Sequence, residues 1–110
     1  MPPPETITST RNPRIVEARK LDQRKHRERQ GRFLVEGLQI IDMALAAGYR
    51  PLEAFYAPEM AGGPAARAML ERLRALDVPC TPVAPHVMEA LAERELSQGI
   101  VAVFALWSPD

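Results

Sequence analysis

The sequence predicts an α/β fold, a three-layer α/β/α sandwich preceded by a basic N-terminal helix. Three observations carry that prediction. From Phe33 onward, short apolar runs alternate with amphipathic helical patterns, the order that builds a sheet covered by helices. Ile100-Val101-Ala102-Val103-Phe104-Ala105-Leu106 is a continuous apolar run, as suits a central strand covered on both faces. Residues 11–32 hold nine basic against three acidic residues, so they carry +6 in a chain whose formal net charge is zero.

Residues 1–10 are expected to form a flexible, proline-rich arm, in which Ile7 is the one large aliphatic residue after Met1. Asn12-Pro13 reads as a helix start, because Asn caps free backbone N–H groups and Pro tolerates the first helical position. Ile15, Ala18 and Leu21 recur at helical spacing and are expected to dock this helix on the body. The remaining basic turns are expected to project or lie loosely until Gly31 ends the helix at the close of segment 11–32. Residues 33–107 then form the α/β domain. Phe33–Glu36 is a strand, and Leu38, Ile41 and Leu45 share one face of the helix that follows Gly37 and stops at Gly48. Leu52–Ala57 is a second strand. After Gly62-Gly63-Pro64, Met69, Leu73 and Leu76 line the buried side of a helix whose wet side carries Arg67, Glu71 and Arg74. Cys80–Val83 is a short strand, Pro85 opens a helix through Ala92, and the apolar run 100–106 closes the sheet.

With 110 residues, the chain is one domain that buries roughly two-thirds of its unfolded surface. A 46% hydrophobic share with 5% aromatics places it among globular proteins. Its longest apolar run falls well short of the roughly 20 residues of a membrane span, and its N-terminus lacks the basic and apolar regions of a secretory signal. The expected compartment is cytoplasmic. The lone Cys80 can form neither an internal disulfide nor a multi-cysteine zinc site.

The stretch Arg24–Arg32 contains no aliphatic or aromatic residue and has no apolar stripe to bury. Its arginine excess suits bidentate phosphate contact and stacking on exposed bases. Arg11, Arg14, Lys20, Arg24, Lys25, Arg27, Arg29 and Arg32 are therefore the candidate contacts to RNA or DNA. The competing reading is a solvated helical face or a dock for an acidic protein partner.

Catalytic signatures are sparse. The chain has neither a G-x-G-x-x-G loop nor a G-K-[ST] phosphate loop, and Gly62-Gly63 reads as a turn. Glu36 stands at a strand end with no predicted acid–base neighbour, so a structural role is expected of Glu36-Gly37. His26, set among arginines, reads as a polar or stacking contact, and His86 as an exposed helix-start residue. Cys80 reads as a buried, inert thiol. No catalytic, cofactor-binding or metal-binding residue is assigned.

Ile7-Thr8-Ser9, Asn12-Pro13-Arg14-Ile15, Gly31-Arg32-Phe33-Leu34-Val35-Glu36-Gly37 and Ser97-Gln98-Gly99-Ile100-Val101-Ala102-Val103 together resemble the substrate-binding domain of the SpoU/TrmH family of RNA ribose 2′-O-methyltransferases. The resemblance spans Ile7 to Leu106. It implies the fold of the kink-turn-binding ribosomal proteins, a mixed sheet flanked by helices. It also implies a place ahead of a knotted methyltransferase domain, which binds S-adenosylmethionine while this domain helps select the RNA. The sequence stops at Asp110, so the family's catalytic and cofactor motifs have no positions here, and the chain is expected to be an excised or truncated N-terminal domain, inactive alone. Trp107 is then a residue near a domain junction or one packed on the sandwich edge. Gln98 is a further candidate RNA contact and Gly99 a position of close RNA approach, against the alternative that the loop merely shapes the turn. Ribosomal RNA is expected before transfer RNA, and DNA is not expected. The full-length enzyme is expected to be a homodimer and this chain a monomer. The alternatives are a free-standing binder of the kink-turn type and a protein-interaction module.

Overall fold

A computed structural model describes residues 5–92 and 98–105. Ser97, Leu106 and Trp107 lie outside the described residues. Five helices and four strands follow in the order α1 (Pro13–Arg19), a 3₁₀ turn (Lys20–Asp22), α2 (Arg24–Gln30), β1 (Arg32–Glu36), α3 (Leu38–Ala46), β2 (Pro51–Tyr56), α4 (Pro64–Ala75), β3 (Cys80–Pro82), α5 (Pro85–Ala92) and β4 (Ile100–Ala105). The sheet order is β1-β4-β2-β3. β4 runs antiparallel to both neighbours, and β2 pairs β3 in parallel, so the sheet is mixed.

Period-two alternation along β4 sends Val101 and Val103 to one face and Ile100, Ala102 and Phe104 to the other, each at most 1% exposed. On the first face they meet Ile15, Ala18 and Leu21 of the N-terminal segment and Val87, Met88 and Leu91 of α5. On the second they meet Ile41 of α3 and Ala66, Met69, Leu70 and Leu73 of α4. These are the three layers. The apolar run of β4 thus reflects helices on both faces rather than a parallel sheet. Phe33 and Phe104 are cross-strand partners whose rings stack 5.6 Å apart. At a register irregularity between Pro51 and Glu53, Leu52 is 43% exposed on a strand whose other residues are buried or half-buried.

The N-terminal segment departs from one continuous helix. Asn12 caps α1, its Oδ1 accepting from the Arg14 N–H at 2.9 Å, and Ile15, Ala18 and Leu21 are buried as the spacing predicts. Gln23 is extended (φ −105°, ψ 131°), which breaks the helix and turns α2 in a new direction. Helix α2 buries no residue, yet it does not hang loose. The Arg27 guanidinium donates to the Leu21 carbonyl at 3.1 Å, and the Gln30 amide donates to the Glu17 carbonyl and carboxylate at 3.1 and 3.3 Å. Gly31, in the left-handed region at φ 68°, then ends it as expected.

Part of the arm is also docked. Ile7 is buried and bridges Val83 in parallel, its N–H donating to the Pro82 carbonyl at 2.9 Å, and Thr8 O lies 2.8 Å from His86 Nε2. Ile7 and Thr8 thus lie against the sheet edge and α5. Leu76 also departs from expectation. It lies past the end of α4 and is 36% exposed, because Asp77 adopts φ 61° and the chain turns off there.

Glu53 on β2 anchors this arrangement. Its Oε1 accepts from Arg14 of α1 at 2.6 Å and its Oε2 lies 3.7 Å from Arg32 Nη1 of β1. Arg14 also donates to the buried Thr81 hydroxyl at 3.1 Å and lies over the Phe55 ring at 5.2 Å. Half-exposed ion pairs of this kind contribute modestly beside apolar burial. Ile15→Ala is therefore expected to cost about 2–5 kcal/mol in urea denaturation, and Glu53→Gln about 1 kcal/mol.

Candidate nucleic-acid interface

The structure divides the basic residues into two groups. In the first, charge is spent on neighbours: Arg14 and Arg32 on Glu53, Lys20 on Glu17 at 3.1 Å, Arg24 on Glu28 at 3.0 Å, and Arg27 on the Leu21 carbonyl. Arg14 and Arg32 tie distant elements together and Arg27 ties α2 back to the 3₁₀ turn, whereas Lys20 and Arg24 pair with acids three and four residues away in sequence.

In the second group are Arg11, Arg19, Lys25 and Arg29, whose side chains have no hydrogen-bond or ion-pair partner among the described residues and are exposed. Lys25 and Arg29 stand four residues apart on α2 and share one face. The inward contacts of Arg27 and Gln30 explain why. With those two side chains holding α2 to the body, Lys25 and Arg29 are left for solvent. Arg19 was not among the candidates read from the sequence. Its charge was visible, but its lack of a partner is a property of the folded chain.

The loop before β4 is a structural junction. Gln98 Oε1 accepts the Leu38 N–H at 2.7 Å and so caps the N-terminus of α3. Gly99 has φ 83°, and a Cβ there would lie 2.9 Å from the backbone of Met60 and Ala61. What approaches Gly99 closely is thus this chain's own backbone. The Glu36-Gly37 corner belongs to the same junction, with Gly37 at φ 108°, where a Cβ would lie 3.5 Å from the Gln98 amide oxygen.

The other chemistry-bearing residues stand apart. Cys80 is half-buried, its thiol donating to the Val78 carbonyl at 3.4 Å. Burial pushes its pKa up, with Arg74 opposing the shift, so little thiolate forms near neutral pH. His86 is exposed and pinned to Thr8. Among the described residues no group of three or more His, Cys, Asp or Glu could hold a metal ion.

Two grooves flank the N-terminal segment. The larger, about 700 Å³, runs between the Lys20–Asp22 turn, α2 and β1, the strand at one edge of the sheet. The smaller, about 280 Å³, lies under α1 beside Glu53 and Val103.

The family model of the MRM3-like substrate binding domain matches residues 12–102. The crystal structure of an RNA 2′-O ribose methyltransferase is 33% identical, with a TM-score of 0.78 over 96% of this chain and 39% of that one. An rRNA methyltransferase from Sinorhizobium meliloti is 26% identical, with a TM-score of 0.74 over 92% of this chain and 36% of that one. The SpoU methyltransferase AviRb from Streptomyces viridochromogenes, in complex with AdoMet, is 26% identical, with a TM-score of 0.77 over 91% of this chain and 37% of that one. An uncharacterized tRNA/rRNA methyltransferase of Synechocystis is 46% identical over 43 residues, which cover 39% of this chain and 16% of that protein. The chain therefore spans well under half the length of these relatives.

Gly99→Ala combines a left-handed backbone with a backbone clash and is expected to lower stability by about 2–4 kcal/mol. Gln98→Ala, which removes one cap, is expected to cost about 1 kcal/mol, both read from thermal or urea unfolding.

Proposed function

The chain belongs to the MRM3-like substrate binding domain family, and we propose that it selects the RNA for an S-adenosylmethionine-dependent RNA ribose 2′-O-methyltransferase, with ribosomal RNA the substrate. The observation that carries this reading is the outward face of α2. Lys25 and Arg29 are presented to solvent by a helix fastened to the body through Arg27 and Gln30, and Arg19 and Arg11 add charge with no internal partner among the described residues. A helix that buries nothing, and whose outer face is cationic, suits a polyanion. Arg24 and Lys20, with only exposed local pairs, can exchange those pairs for phosphates at little cost. Arg14, Arg27 and Arg32 act chiefly by holding that surface in place, and Gln98 by setting the start of α3.

The division of labour is that of a binding domain. Its residues bind and orient RNA, and methyl transfer belongs to another part of the full-length protein. S-adenosylmethionine would supply the methyl group there. The glycine-bearing turn after β1 does not fit that cofactor, because Gln98 already occupies the first N–H of α3. No helix among the described residues is long and apolar enough to cross a membrane. We place the full-length enzyme in the cytoplasm as a homodimer, with this domain alone a monomer that does not select DNA.

The test is a fluorescence-anisotropy titration against structured fragments of large-subunit ribosomal RNA across a salt series. Four neutralised phosphates predict a log–log slope of magnitude about 3, and Lys25→Ala with Arg29→Ala is expected to lower it by about 1.5. An unchanged slope and affinity in that double variant would overturn the assignment of α2 as the RNA-contacting element.

A further inference from the structure

We propose that the groove between the Lys20–Asp22 turn, α2 and the edge strand β1 receives one unstacked nucleotide of the bound RNA. The inference rests on the RNA reading above and adds a site to it. Four consecutive residues, Phe33 to Glu36, line the groove, so it follows the outer edge of β1 rather than one face of the sheet. At about 700 Å³ it falls within the roughly 300–1,000 Å³ typical of small-molecule sites.

The lining has the chemistry of a base-stacking platform. Phe33 and Leu34, both half-buried, supply apolar and aromatic surface, and Ile40 of α3, 51% exposed, forms part of the wall. Arg27 is fixed in advance by its bond to the Leu21 carbonyl, and Arg19 has no partner among the described residues. Unstacked bases settle on aromatic rings and guanidinium planes, and the phosphate of the same nucleotide is drawn to the arginine side. Asp22 and Glu36 also line the groove. The Asp22 carboxylate repels phosphate but accepts hydrogen bonds from exocyclic amino groups, so the base edge faces it and adenine, guanine or cytosine is preferred over uracil.

The groove's own two arginines and two carboxylates balance, so what favours RNA over an apolar peptide as the occupant is the exposed cationic face of α2 beside it, Lys25 and Arg29. Helix α2 contributes Arg27 to the groove and Lys25 and Arg29 to its outer face, so a strand held on the outer face has a route across the helix to the groove. A protein strand pairing along the edge of β1 would use the backbone instead and would have no need of the arginines.

The experiment compares a hairpin with a single-stranded, amino-base-rich loop and a fully paired duplex of equal phosphate count, using this chain. Ile40→Glu is expected to weaken loop binding about tenfold, the equivalent of one lost stacked base, and to leave duplex binding within about twofold. Ile40→Ser, without the added charge, is expected to weaken loop binding alone by about threefold. A 2-aminopurine in the loop is expected to be quenched on binding the parent chain but not Ile40→Glu. Equal losses on loop and duplex, or no loss on either, would overturn the groove while leaving the α2 reading intact. An unchanged affinity of the Lys25→Ala, Arg29→Ala variant for both RNAs would overturn the α2 reading instead, and binding of neither RNA by the parent chain would overturn both.

Discussion

The constraint on which the rest of the structure depends is the burial of β4 on both faces. Its residues Ile100 to Phe104 are almost wholly removed from water, and no other strand touches two strands and both helical layers so completely. A strand in that position needs hydrogen-bonded neighbours on each side and helices above and below, since one uncovered face would return several large side chains to solvent. The positions of β1 and β2 follow from pairing with it. The N-terminal segment and α5 cover one face, and α3 with α4 cover the other.

That arrangement also decides where the basic residues can act. Helix α1 and the 3₁₀ turn are held by Ile15, Ala18 and Leu21, which pack on the same face as Val101 and Val103. The direction of α2 is set by the break at Gln23 and by two polar contacts back to the segment just before it. Those contacts turn a uniformly charged stretch into a helix with an inner and an outer side. The inner side uses Arg27 and Gln30, and the outer side presents Lys25 and Arg29.

The approach to β4 shows a different relation between sequence and role. Gln98 and Gly99 are polar and small, the types that contact RNA in many proteins. Here the same types satisfy internal demands: a free N–H at the start of α3, and a backbone position with no room for a side chain beside Met60 and Ala61. The composition of a loop does not reveal whether what approaches it is a ligand or another part of the chain.

The sequence by itself determined the α/β class, the central place of strand 100–105, the Asn12 cap, the apolar anchor Ile15-Ala18-Leu21, the helix Pro85–Ala92 and the concentration of charge in residues 11–32. Each is a local signal, written in hydrophobic periodicity, in Pro and Gly punctuation or in charge count. Tertiary structure alone decided the break at Gln23, the docking of Ile7 on Val83, the displacement of Leu76 and the sorting of the basic residues. Arg14 and Arg32 meet Glu53 from 39 and 21 positions away in the chain. A charge read in sequence has no partner until the chain has folded, because ion pairing depends on distances in space. For that reason the basic segment was legible as a unit, whereas the division between its structural arginines and its outward-facing ones was not.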